Sequence, residues 1–393
     1  MNATLDRGSM FDISFIPAPL FALRNEFVKH GFDLRLVGGI VRDTVAGIPA
    51  KDIDLCTNAT PDQQIALYDS ASIRYIPTGL AHGTITVVLD NELFEITSLR
   101  IDVETDGRHA KVEFTDDWTL DAQRRDITFN SMSLTFDGEL IDPFNGKSDL
   151  DNHIVRFVGD ADSRIKEDYL RILRWFRFVG RFGTIYNDNF ETLESIERNA
   201  SGLRGISGER IWSEVQRIVS QPKAADLLRA MMDTTVARHI NLEPDFGPID
   251  FNHFNVIKEE IDDPVVLIAA WVNFEFNKIK EIADRWKWSV AERKHADWLC
   301  NNYTTNADLR RLIAVDNVDR AWVKELAIVQ IRDGWEKNAL ADWIFDPFPV
   351  TGEDLIAAGF KPGMQFGIIL RNLKNLWADS NYAATKEQLL DQI

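Results

Sequence analysis

Cysteine is nearly absent from this 393-residue chain, and its two cysteines, Cys56 and Cys300, lie far apart. That count excludes a disulfide framework and a cysteine-based zinc pattern. No window approaches the roughly 18 uninterrupted apolar residues that a membrane-spanning helix needs. Positive charge is scarce too, with 44 Lys and Arg against 62 Asp and Glu and a formal net charge of -18. Such a balance excludes a surface coated all over by nucleic acid. It leaves room for a local basic groove, because the local field governs such binding. Short repeats and low-complexity segments are missing. The opening MNATLDRGSMFDIS lacks the charged-then-apolar order of a signal peptide, and its Asp6 and Asp12 argue against a transit peptide. A cytoplasmic protein is the expectation.

What is present is ordinary in bulk, with 45% apolar and 27% charged residues. The length predicts two to four domains. LRLVGG is an apolar run ending in a glycine pair. GTITVVLD and LFEITSLR are β-branched runs that meet at Asp90-Asn91, a hairpin signal, and a second hairpin is predicted around Asp137-Gly138. IDVETDGRHAKVEFTDD is polar and contains glycine, so it is assigned to a loop. From about residue 160 the apolar spacing turns helical, as in ERIWSEVQRIVS, PVVLIAAWVNF, KELAIVQI and QFGIILRNLKNLW. The expected fold is α+β, a small mixed-sheet head followed by helices.

Residues 36–55 read LVGGIVRDTVAGIPAKDIDL. Gly38 and Gly39 follow a strand and open a helix, where glycine lets backbone approach a polyphosphate and the helix N-terminus favours anions. Asp52 and Asp54 lie two apart on an expected strand and so face one side. Two such carboxylates suit Mg²⁺, a hard cation that keeps room for substrate phosphates. DxD alone is common by chance, and a surface turn with two acids is the plain alternative. Glu95 alternates with Phe94 and Ile96 and points away from an apolar face. It either completes a carboxylate cluster or is simply solvated. RRDITFN, residues 124–130, reads either as a charged helix end or as arginines for a triphosphate with an aspartate for a ribose hydroxyl.

IKEDYLRILRWFRFVGRF, residues 165–182, gathers Lys166, Arg171, Arg174, Arg177 and Arg181. A salt-bridged surface helix is the usual meaning of such a run. Hydrogen-bond chemistry offers another. On one helix, Asp168 and Arg171 share a face. Cytosine and adenine each present an amino donor beside a ring-nitrogen acceptor, which a carboxylate and a guanidinium match. Uracil and guanine present the opposite pattern and would leave the carboxylate facing an acceptor.

Taken together these motifs resemble the class II tRNA nucleotidyltransferases, the CCA-adding enzymes, and their poly(A) polymerase relatives. The carriers are the glycine pair with DxD, RRDITFN, EDYLR, DVETDGRHAKVEF, ISGERIW and PVTGEDLIAAGFKPGMQFGIIL. The resemblance is strong over residues 34–215, patchy to 345, and clear again over 349–377. It implies a nucleotidyltransferase head over 1–150, a base-recognising helical neck over 151–220, and a tRNA-binding body and tail over 221–393. It implies that Asp52 and Asp54 bind Mg²⁺ and act in catalysis with Glu95. Gly38, Gly39, Arg42, Arg125, Asp126, Asp168, Arg171 and Arg174 would meet the nucleotide. Segment 101–117 would help switch addition from C to A. The implied partners are tRNA, CTP and ATP, with no membrane and an open oligomeric state. Ile127 and Ser131 stand where Phe and Ala are commoner, and no His-Asp dipeptide marks a phosphohydrolase extension. Rival expectations are a poly(A) polymerase, a CC-only or A-only enzyme, a non-catalytic RNA-binding protein on a degenerate head, and a small-molecule nucleotidyltransferase.

Overall fold

The computed structural model describes residues 10–49, 52–105, 110–186, 189–245, 249–330 and 346–393. Two compact units result, residues 1–241 and 242–393. The mixed α+β class holds: a sheet in the head, then helices.

The first unit is built on β1 (Leu34–Val37), β2 (Asp54–Thr57), β3 (Tyr75–Gly79), β4 (Thr84–Leu89), β5 (Glu92–Ser98), β8 (Ser133–Leu134) and β9 (Leu140–Ile141), in spatial order β3-β4-β5-β2-β1-β8-β9. Only β2 and β5 run parallel, pairing Asp54 with Glu95 and Leu55 with Ile96. The β4–β5 hairpin turns at Asp90 and Asn91, both at positive φ (48° and 67°), the backbone a two-residue turn between twisted strands requires. The shorter β8–β9 hairpin turns at Gly138, φ 86°.

The polar segment expected as a loop is instead a hairpin of its own, β6 (Arg100–Thr105) against β7 (Ala110–Phe114). Its charges and glycine obscure an alternation along each strand, Ile101 and Val103 in one and Val112 and Phe114 in the other, that supports strands. Residues 106–109 of the expected switching segment lie outside the described residues.

Helices α1 (Ala18–Lys29), α2 (Gly39–Val45), α3 (Pro61–Ser70), α4 (Trp118–Gln123) and α5 (Gly146–Asp151) pack around the sheet, with Phe27 of α1 meeting Tyr68 of α3 edge-on. The unit continues through α6 (Ala161–Glu167), α7 (Arg171–Phe182), α8 (Phe190–Asn199), α9 (Gly208–Val219), α10 (Ala224–Asp233) and α11 (Val236–His239). One stripe of α7 buries Ile172, Leu173, Trp175, Phe176 and Val179. Trp175 has no exposed surface and donates Nε1 to the Val155 carbonyl at 2.7 Å. The arginines occupy the remaining positions at three- and four-residue spacing, as an amphipathic helix dictates.

The second unit comprises α12 (Phe251–Glu260), α13 (Pro264–Trp271), α14 (Phe276–Trp286), α15 (Val290–Asn302), α16 (Leu309–Ala314) and α17 (Arg320–Val329), then helices Gly352–Ala357, Met364–Asp379 and Lys386–Leu390. Trp271 and Trp286 are fully buried, and Leu355, Leu373, Trp377 and Leu389 form a further cluster. GFKPGMQ forms a turn that leads into the helix at Met364. Among the described residues no helix is long and apolar enough to cross a membrane.

Candidate active site

The first strand delivers the chain to Gly38, which adopts φ 72° and ψ -130° and caps α2. A side chain there is strained by the backbone alone. A Cβ at Gly38 would also stand 3.6 Å from Arg125 Nη1 and 3.8 Å from Asp54 Oδ2. The glycine turn, the DxD strand and the RRD segment therefore meet at one point, as the sequence motifs predict. Asp54 opens β2, and its register partner Glu95 sits beside it on β5. Asp52, Asp54 and Glu95 are all exposed, while Leu55 and Cys56 behind them are buried. Partial burial and the negative charges of Glu95 and Asp52 push the Asp54 carboxyl above its usual pKa, against the pull of Arg125.

Among the described residues no group of three or more His, Cys, Asp or Glu side chains is placed to hold a metal ion. The donor set is the pair of carboxylates of Asp52 and Asp54, with the Glu95 charge close by, beside the Gly38 turn. That fits a hard divalent cation whose remaining ligands are water and phosphate oxygens.

RRDITFN supplies a buried polar lattice. Asp121 of α4, 2% exposed, holds Arg124 at 2.7 Å and Arg125 at 3.2 Å. Arg125 also reaches the Asn130 carbonyl at 3.3 Å and Cys56 Sγ at 3.7 Å. Asp126 Oδ1 accepts from the Ile127 amide and from Asn130 Nδ2, and its Oδ2 accepts from Arg174 Nε at 2.7 Å. Burial alone would raise the Asp126 pKa, but Arg174 and these hydrogen bonds hold it below the ordinary value. Arg42 is buried and donates to Asp43 and Asn130, both at 2.9 Å, with its guanidinium over the Phe182 and Phe178 rings.

The EDYLR segment departs from the expectation of one continuous helix. The α6 helix ends at Glu167, and Asp168 is extended (φ -155°, ψ 104°) before α7 begins at Arg171. The break is stabilised locally, because Asp168 Oδ1 accepts from the Leu170 amide and its carbonyl accepts from the Arg171 amide. Asp168 and Arg171 thus flank a turn instead of sharing a helix face. Two further arginines of the stripe are matched with acid, Arg177 to Glu214 at 2.6 Å and Arg181 to Asp43 at 3.0 Å.

Sequence reasoning missed Asp43, Asp121, Asn130, Arg210 and Glu214, the partners that hold the singled-out residues. Asp121 carried a readable signal in its three- and four-residue spacing to Arg124 and Arg125. Asp43 adjoins Arg42 and Asn130 lies four residues from Asp126, whereas the Arg210–Asp168, Glu214–Arg177 and Asp43–Arg181 pairs span tens of residues and leave no local trace.

Residues 34–156 match the family described as the poly A polymerase head domain, and residues 189–246 match the probable RNA and SrmB-binding site of polymerase A. The chain is 41% identical over 392 residues to the mitochondrial CCA tRNA nucleotidyltransferase 1 of Mus musculus, covering 95% of this chain and 89% of that protein. The Homo sapiens protein of the same name is 40% identical over 396 residues, with the same coverage. The fold is similar to the crystal structure of the Bacillus stearothermophilus CCA-adding enzyme in complex with CTP, with a TM-score of 0.75 at 22% identity over 96% of this chain and 97% of that one.

Proposed function

This chain belongs to the CCA tRNA nucleotidyltransferases, and from that premise we infer how its residues carry out the reaction. The enzyme adds C, C and A to the tRNA 3′ end from CTP and ATP, releases pyrophosphate and uses no nucleic-acid template. The carrying observation is the meeting of Gly38, Asp54 and Arg125 within one contact shell.

In this reading Asp52 and Asp54, with Glu95 beside them, hold Mg²⁺. The bound cation supplies Lewis acidity to the attacking 3′-hydroxyl and neutralises charge on the triphosphate. Gly38 and Gly39 let the triphosphate approach backbone N–H groups at the start of α2. Arg125, already anchored on Asp121, offers its guanidinium to phosphate oxygens. Arg42 supports the nucleotide pocket from within, through Asn130 and the aromatic faces of α7. Asp126, buried, and Arg174, half-buried, act as one ion-paired unit beside the ribose.

Asp168 and Arg171 select the base. The carboxylate accepts from the amino group of cytosine or adenine and the guanidinium donates to the ring nitrogen. Uracil and guanine leave the carboxylate against an oxygen acceptor, which weakens their binding strongly. The β6–β7 hairpin takes the role expected of segment 101–117, assisting the change from C to A addition. The head spans 1–150, the neck 151–220, and the body and tail over 221–393 bind tRNA. A cytoplasmic location is proposed on the two free cysteines, whereas the two mammalian relatives are mitochondrial by name. Fractionation of the source cells tests it.

Asp52→Ala tests the chemistry. Nucleotide addition is abolished while tRNA binding survives; retained addition would refute the metal assignment.

A further inference from the structure

Asp168 and Arg171 carry opposite charges three residues apart. A carboxylate and a guanidinium so close would ordinarily pair with each other, which would leave neither edge for a base. The structure holds them apart by giving each its own counterion. Asp168 Oδ2 accepts from Arg210 Nη2 of α9 at 2.7 Å. Arg171 Nη1 donates to Glu167 Oε2 at 2.6 Å and to the Arg164 carbonyl at 2.9 Å, and its Nη2 donates to the Arg124 carbonyl at 3.1 Å. Glu167 is fixed in turn by Arg164 at 2.6 Å, a buried arginine that also donates to the Arg125 carbonyl at 3.0 Å.

Hydrogen-bond capacity remains on both members. A guanidinium has five N–H groups, and three of those on Arg171 are used by the contacts above. Each carboxylate oxygen of Asp168 has one protein donor, Leu170 on Oδ1 and Arg210 on Oδ2, and a lone pair to spare. Arg174 lies near enough to feel the Asp168 charge. Without a third partner the carboxylate has two arginines of its own helix terminus to collapse onto.

We propose that Arg210 is a specificity-determining positioning residue: its ion pair keeps the Asp168 carboxylate off Arg171 and Arg174 and aimed at the base. Glu167 performs the mirror task for Arg171. The inference rests on the reading of Asp168 and Arg171 as the base-selecting pair.

The test uses the full-length enzyme with two tRNA transcripts, one ending before CCA and one ending in CC. For the first, kcat/KM is measured with CTP and UTP, and for the second with ATP and GTP. Wild type, Arg210→Ala, Arg210→Lys, Glu167→Gln and Asp168→Ala are compared, with melting temperature and tRNA affinity measured on each. Arg210→Ala is expected to lower both selectivity ratios by on the order of tenfold or more, the scale of losing one positioned polar contact. Arg210→Lys, which keeps the charge but not the fork, is expected to recover part of that loss, and Glu167→Gln to relax selection in the same direction. Wild-type ratios in Arg210→Ala overturn the proposal. So does an equal loss of all four rates that follows the melting temperature and is not relieved by lysine. If Arg210→Ala does not fold, Arg210→Lys and Glu167→Gln decide, and unchanged ratios in both overturn it. Asp168→Ala separates the premise: if it still selects C and A cleanly, the base-selecting reading itself fails. If it relaxes selection while the Arg210 and Glu167 variants do not, only the proposed role of Arg210 fails.

Discussion

Arg174 and Asp126 are joined by two contacts onto one oxygen, Nε to Oδ2 at 2.7 Å and Nη2 to Oδ2 at 2.6 Å, across 48 residues of sequence. This bridge ties α7 to the RRDITFN segment. The Asp126 side chain is 9% exposed and that of Arg174 35%. Asp126→Ala leaves a guanidinium without its partner, and the expected loss is about 3 kcal/mol, the low end for a broken buried pair because Arg174 keeps contact with water. Chemical denaturation measures it.

Acid sensitivity follows from the same pair. The folded pKa of Asp126 lies below its unfolded value of about 3.9. Its contribution to stability is therefore complete above that pH and is lost as pH falls through the folded value. Asp126→Asn should flatten the decline in stability below about pH 4, and an unchanged acid profile would remove Asp126 from the account.

Gly38 and Gly39 should respond differently to alanine. Gly38 requires φ 72°, so Gly38→Ala should lower stability by about 1–2 kcal/mol through backbone strain. Gly39 has no such requirement, and an added Cβ would meet only the flexible Arg42 Nη2 at 3.6 Å, so its change should stay under about 1 kcal/mol. Paired thermal melts check the contrast.

Asp54 stands among like charges. Mg²⁺ should raise the melting temperature of wild type, because a ligand bound only by the folded state adds about 2.7 kcal/mol at a hundredfold excess over Kd. Asp54→Asn should lose most of that response, and a titration of Mg²⁺ by calorimetry reads it.

Both cysteines should be unreactive in the folded protein. Burial pushes the Cys56 thiol up to about 11 and the Cys300 thiol up to about 12. At pH 8 only about one Cys56 thiol in a thousand is ionised. Iodoacetamide should modify both residues in denaturant and neither in the native enzyme.

Much of the first unit was legible because its signals are local. The glycine pair after an apolar strand, the Asp90-Asn91 turn and the amphipathic spacing of α7 each lie within a few residues. The break at Asp168 was hidden because an Asx contact and a distant Arg210 create it against good helical spacing. The β6–β7 hairpin was hidden by charge laid over a two-residue alternation. The arginine stripe raised a question that local spacing does not answer. Its partners, such as Asp43 at 138 residues from Arg181, are brought together only by the fold.

The most direct measurement offers the purified enzyme, with Mg²⁺, three tRNA transcripts ending before CCA, after C and after CC, each with one labelled nucleotide at a time. Incorporation of C on the first two and of A only on the third is predicted. Long A-tails on all three, or incorporation of U and G as readily as of C and A, would contradict the account.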